Sequence, residues 1–249
     1  MINNFYKIIH NKYSRFFEFI FFLRYLIVIF LISIALYLSI PIFFNYEKKA
    51  NVIKVYLLEN YNFKISEYKK IKYNIFPQPN LEINDVQINL KSFDKNLNVK
   101  KLKIYPNLLN IYNYENFNSK KIVLIDSNIT FQITNFKLLT KQLFNKKNKL
   151  HFDDLNFQMV NKKTSVITLK NIKFANFGHH KNIIRGKVFK KNFKFEIDEN
   201  IKNINFKLLN SGINANINFD KNQKENLKFG IFRSKILNTN FKTNFEYDG

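Results

Sequence analysis

The chain contains no cysteine and no tryptophan, and its 249 residues include only five glycines, four prolines and four arginines. Without cysteine there is no disulfide, no thiolate nucleophile and no cysteine-ligated zinc. So little glycine and proline excludes a low-complexity linker and leaves no glycine-rich loop to cradle a nucleotide. The arginines (Arg15, Arg24, Arg185 and Arg233) stand beside 37 lysines in a formal net charge of +23. Nucleic-acid surfaces favour arginine for bidentate contacts to guanine and phosphate. Here lysines alternate with apolar residues instead of clustering, as on a solvated strand face. With 40 asparagines and abundant Ile and Phe, the composition follows A/T-rich codons, so part of the charge reflects genome composition. Specific nucleic-acid binding is not expected, while attraction to anionic lipid headgroups stays compatible with the lysines.

Catalytic patterns are also missing. No G-x-S-x-G, Walker A, H-E-x-x-H or G-x-G-x-x-G occurs. The four histidines are His10, His151, His179 and His180, and the adjacent last pair follows Phe177-Gly178 in what reads as an exposed turn rather than a metal site. Asp153-Asp154 lacks the alternating ligand spacing of a calcium loop. No catalytic residue, cofactor or metal is therefore expected, and the chain does not read as an enzyme.

One long apolar run organises what is present. Tyr25 to Phe44 (YLIVIFLISIALYLSIPIFF) is uncharged throughout, and twenty helical residues at about 1.5 Å each cross a hydrocarbon core about 30 Å thick. The run begins near Phe16, interrupted by Glu18 and Arg24, so the span can slide toward the N-terminus with Arg24 snorkelling. SIPIFFNYEKK offers no small-residue cleavage pattern, which favours an uncleaved signal anchor behind a basic flank, residues 1–24. Lys7, Lys12, Arg15 and Arg24 precede the span and Lys48, Lys49 and Lys54 follow it, a margin too small to orient it.

Beyond the anchor, Glu47 to Asn60 places Ala50, Ile53 and Leu57 at helical spacing. In Phe63 to Leu90, Pro77 and Pro79 form an extended elbow, and alternation shifts parity between Leu81/Ile83 and Val86/Ile88/Leu90, which predicts a bulge near Asn84 and Asp85. An anchor, a short I-x-x-Y-L helix, then K-I-x … F-P-x-P-x-L-x-I-x-x-V-x-I (through Phe76, Pro77, Pro79 and Leu81) resembles the start of the AsmA family of bacterial envelope proteins. The resemblance continues in KLKIYPNLLNIYNYENF (101–117), GKVFKKNFKFEID (186–198) and NINFKLLNSGINANINFD (203–220). It implies a repeating β-groove that shelters phospholipid for outer-membrane biogenesis, with the N-terminus cytoplasmic, the anchor in the inner membrane and the bulk of the chain periplasmic. The family is usually much longer.

After Ser119 the period-two signal is plain. Val123, Ile125, Ile129, Phe131 and Ile133 share one parity, and Asn135 to Lys146 switches to helical spacing. The lysine-rich stretch that follows suggests a boundary near 148, dividing a membrane-proximal segment (45–148) from a continuing meander (149–249). Strand signals there run through Leu155, Phe157 and Met159; Ile167 and Leu169; Ile172 and Phe174; Phe193, Phe195 and Ile197; and Ile204, Phe206 and Leu208. They continue through Ile213, Ala215, Ile217 and Phe219; Leu227, Phe229 and Ile231; and Leu237, Phe241, Phe245 and Tyr247. Short polar turns between them predict antiparallel neighbours.

The expected fold is mainly β: a transmembrane helix, then a curved antiparallel sheet forming an open groove, with two or three short amphipathic helices. One apolar face must be hidden by a second sheet, helices, barrel closure or a ligand. A sandwich core is the reading without the resemblance; with it, Phe193, Phe195, Ile197, Ile204, Phe206, Leu208, Ile213, Ile217, Phe219 and Phe229 are candidate lipid-groove residues. The alternatives are an anchored β-scaffold that recruits envelope proteins without lipid, and a polyanion binder using the lysines. Residues 237–247 read as an open edge that pairs with a second chain or continues into further sequence.

Overall fold

The structure, a computed structural model, describes residues 14–90, 96–107, 110, 112, 117–135, 148–198, 202–220 and 227–248. The chain divides into two compact units, residues 1–44 with 75–77, and residues 45–74 with 78–249.

In the first unit, helix α1 (Ser14–Ser39) passes into a 3-10 turn (Ile40–Phe43) that has Pro41 at its start. Glu18–Phe43 is long and apolar enough to cross a membrane, with mean hydropathy 2.7, and its side chains are exposed almost all round. The helix starts about three turns, and its apolar stretch at Glu18 about two turns, before the Tyr25–Phe44 span read from the sequence, because most of the residues from Phe16 to Leu23 are apolar too. Phe76, in the elbow, is 85% exposed, and its bond to Pro77 is cis.

The second unit is one open sheet of thirteen strands among the described residues. Helix α2 (Ala50–Tyr61) comes first and buries Ala50, Ile53, Tyr56, Leu57 and Tyr61; Asn62, in the left-handed region, ends it. The strands are β1 (Phe63–Glu67), β2 (Lys70–Asn74), β3 (Asn80–Leu90), β4 (Asn96–Pro106) and β5 (Ser119–Gln132). They continue with β6 (Leu150–Asn161), β7 (Thr164–Ala175), β8 (Ile183–Val188), β9 (Lys191–Ile197), β10 (Asn203–Leu208), β11 (Ile213–Phe219), β12 (Leu227–Ile236) and β13 (Thr239–Asp248). β1 and β2 both pair with β3, and from β3 onward each strand pairs with the next.

All of these pairs are antiparallel except β5 and β6, which run parallel. That corrects the expected uninterrupted antiparallel meander. Parallel neighbours need a crossover, and residues 133–149 supply it. The expected helix Asn135–Lys146 falls there, and 136–147 lie outside the described residues. Because β5 and β6 are paired along their lengths, the sheet continues across the boundary expected near 148.

The parity shift expected near Asp85 is present and recurs. Asp85, Asp126, Asp154 and Asn171 all have φ between 50° and 66°. In register, Asp85 opposes Lys100, Lys100 opposes Asp126, and Asp126 opposes Asp154, so the skips form one line across β3 to β6 that Asn171 extends into β7. Asn171 Nδ2 donates to Asp154 Oδ1 at 2.9 Å, and Lys100 Nζ lies 3.4 Å from Asp126 Oδ2. Asp and Asn tolerate the left-handed region better than other L-residues with a Cβ. Each skip lets an i, i+2, i+5, i+7 pattern face one side: Leu81, Ile83, Val86 and Ile88 on β3; Leu97, Val99, Leu102 and Ile104 on β4; and Leu150, Phe152, Leu155 and Phe157 on β6 are all buried.

The same shift corrects two strand readings. On β5, Ile122, Leu124, Ile129 and Phe131 share the buried face, while Val123 and Ile125 point to the other side, since Asp126 resets the alternation. On β7, the two short strands expected around Leu169 and Ile172 are one strand with a skip at Asn171.

Helix α2 plugs the first part of this face. It runs directly into β1, yet the Tyr56 hydroxyl lies 2.9 Å from Ser119 Oγ and 3.1 Å from the Ser119 amide nitrogen, which donates to it, and Asn148 Nδ2 donates to the Asn60 carbonyl. Four strand spacings separate β1 from β6, about 19 Å in a flat sheet, a distance that a twelve-residue helix, about 18 Å long, can span across the strands. Burial in this contact pushes the Tyr61 phenol well above the ordinary tyrosine range.

Candidate functional site

Beyond β7 the apolar face continues without helical cover among the described residues. Its rows follow from the registers. Phe193 pairs with Leu208, Leu208 with Ile213, and Ile213 with Ile236; Phe195 pairs with Phe206, and Phe206 with Ala215. Ile197, Ile204, Ile217 and Phe232 form the next row. From Phe193 to Phe245 no charged side chain lies on this face within the rows, and Lys191 sits at one end. Paired residues share a face because side chains alternate with period two.

Burial separates the two parts of the sheet. The apolar-face residues of β3 to β6 are nearly all sealed, whereas Phe195, Ile197, Ile204, Phe206, Ile213, Ile217 and Phe219 remain half-exposed, and only Phe193 and Leu208 of the candidate set are buried. Two glycines shape the surface. A Cβ on Gly186 would come 2.9 Å from the Phe193 ring, and one on Gly230 would meet the Asn218 carbonyl at 2.4 Å and the Phe245 ring at 2.8 Å. Through the Gly230 gap Phe245 reaches Phe219 edge-to-face, with ring centroids 5.6 Å apart. Phe193 and Phe206 stack with centroids 6.0 Å apart.

Phe229 is a correction. It pairs with Glu246 on the opposite face, and the residue beside Ile217 is Phe232. LKFGIFRSKI carries apolar residues on both parities, and a one-residue shift moves a whole strand's side chains to the other face. Local alternation favours Leu227, Phe229 and Ile231; only pairing with β11 selects Gly230, Phe232 and Ile236. A second correction concerns Leu237, which sits in the β12–β13 turn rather than in the last strand.

The opposite face is polar. Asn203 and Asn205 pair with Asn218 and Asn216, and Asn216 Nδ2 donates to Asn205 Oδ1. Lys194 and Glu196 form an ion pair there. On β6, burial holds His151 below the ordinary histidine range, reinforced by Lys121 and Lys173 and opposed by Asp153. His179 and His180 are exposed in the β7–β8 turn, and no group of three His, Asp or Glu among the described residues is placed to hold a metal.

Of the elbow motif, Leu81 is fully buried against Ile104 and Tyr73, while Phe76 and Pro77 are exposed. An open cleft of 750 Å³ lies between the β10–β11 and β12–β13 turns, lined in part by Lys191, Lys207, Leu208, Gly212 and Leu237. Nothing in sequence alternation marks it, because turns carry no period. No protein-family model matches the chain, and no curated protein matches it.

Proposed function

We infer that the chain is a membrane-anchored, non-enzymatic lipid-handling protein of the AsmA-like kind, in which the exposed apolar face of β9–β13 shelters phospholipid acyl chains. The observation that carries this reading is the continuation of a charge-free apolar face past its helical plug. In β3 to β6 the face is sealed; in β9 to β13 the same rows stay half-exposed. Each acyl methylene removed from water contributes about 0.8 kcal/mol, so a continuous row of Phe and Ile holds a chain without a catalytic group. In this reading α1 is an uncleaved anchor in the inner membrane, the N-terminal flank is cytoplasmic and the sheet is periplasmic, serving outer-membrane biogenesis.

The register supplies its own control for the test. A photo-crosslinking amino acid at Phe206 or Ile217 should capture lipid in cells, and one at Phe229 or Asn205, on the polar side, should not. Equal lipid adducts from both faces, or none from either, would remove the reading. The scaffold alternative draws on β13, whose second edge has no strand partner among the described residues; protein adducts from that edge with no lipid at Phe206 would favour it.

A further inference from the structure

The turns at one end of the sheet carry a second feature that the apolar face does not use. Asn161 pairs with Thr164, Val188 with Lys191, Leu208 with Ile213, and Ile236 with Thr239, so four turns line up along one end of β6 to β13. Two of them hold bulky apolar residues in the left-handed region. Phe189 and Lys190, the two central residues of the β8–β9 turn, have φ of 49° and 65°. Leu237, the first central residue of the β12–β13 turn, has φ of 55°. Such positions favour Asn, Asp or Gly, and a bulky side chain there costs stability. Little packing within the sheet offsets that cost, since Phe189 is 80% and Leu237 67% exposed.

Charge segregates along the same strands. Lys162, Lys163, Lys187, Lys190, Lys191 and Lys207 lie at or beside these turns. The described acidic residues of β6 to β13 and their flanks are Asp153, Asp154, Glu196, Asp198, Asp220, Glu246 and Asp248, and all lie in the half of the strands remote from the turns. The result is a purely basic rim with two projecting hydrophobic tips about four strand spacings apart, about 19 Å.

We propose that this rim docks the sheet onto an anionic lipid bilayer, with Phe189 and Leu237 inserting between headgroups and the surrounding lysines binding the phosphates. The complementarity is specific to that occupant. A polyanion would use the lysines and leave the tips in water, and a protein groove would have no need of a charge-pure rim. Backbone strain retained at an exposed position points to function, and insertion of the tips into the acyl boundary supplies the burial that the sheet does not. Juxtaposed lysines add attraction to anionic lipid that weakens with salt. This docking is independent of whether the apolar face carries lipid.

The test uses the full chain, immobilised with α1 held in a zwitterionic nanodisc, and measures capture of fluorescent vesicles of phosphatidylcholine alone or with phosphatidylglycerol. Capture should require the anionic lipid. Phe189→Asn and Leu237→Gly should each lower it about tenfold, the loss of roughly one buried apolar side chain. Both changes suit the local backbone, so the variants should melt at or above the parent temperature, and Phe189→Trp should retain capture. Capture that is unchanged in the double variant, or equal on zwitterionic vesicles, would overturn the proposal. So would capture that depends on Lys190 and Lys191, is competed by nucleic acid and ignores both tips, which would make the rim a polyanion site.

Discussion

Aspartates in the left-handed region set the strand phase at the residue scale, and their cost is measurable. Asp126 has φ of 53° in the middle of β5, where a β-branched residue would be strained. Asp126→Val should destabilise the chain by about 1–2 kcal/mol, and Asp126→Asn or Gly by far less. Urea unfolding that ranks Val equal to Asn would show that these skips are not held by backbone preference. His151 supplies a pH test. Its folded pKa lies below the ordinary 6.5 because burial disfavours the charged ring. The unfolded chain therefore takes up the proton first as pH falls; the stabilisation is complete above about 6.5 and is lost as pH drops through the lower folded value. Melting temperature should fall between pH 7.5 and 5, less steeply for His151→Gln, and parallel slopes would refute the assignment. Neither feature was fully legible beforehand. The skip at Asp85 showed in the parity of its neighbours, but at Asp126 the adjacent Val123 and Ile125 made the wrong alternation look continuous.

Among elements, α2 ties the first strands of the sheet to the start of β5. Its Tyr56 hydroxyl is tied to both the side chain and the backbone of Ser119, and its ring meets Phe117 edge-to-face at 5.2 Å. Tyr56→Phe keeps the ring contact and removes those hydrogen bonds, so it should cost about 1–2 kcal/mol, part of it from a stranded Ser119 amide. Hydrogen exchange should quicken at the start of β5 while β9–β13 stay unchanged; uniform loss of protection would mean that α2 holds the whole unit rather than its first part. The helix itself was visible from Ala50, Ile53 and Leu57. Its second set of partners was not, since nothing local in residues 47–60 refers to Ser119 or Asn148. Edge assignments behaved likewise: β10 and β11 were readable strand by strand, whereas the face of β12 followed only from pairing Ile217 with Phe232.

At the scale of the whole molecule, the long apolar helix and the sheet make different demands on solvent. A reporter that is active only outside the cytoplasm, fused after Gly249, should be active, and one fused before Ser14 inactive. The reverse pattern would invert the proposed topology, and inactivity at both positions would remove the anchor reading. The apolar run through residues 25–44 determined by itself that one helix could meet a bilayer, because length and hydrophobicity depend only on consecutive residues. Period-two alternation likewise determined a largely β chain with one apolar face. Tertiary structure alone decided that β5 and β6 run parallel, that the skips align into one line, that Phe229 and Phe232 exchange faces, and that Phe189, Leu237 and the lysines gather along one end. Each of these depends on which strand lies beside which. Register is set by contacts between residues far apart in the chain, and local alternation carries no record of them.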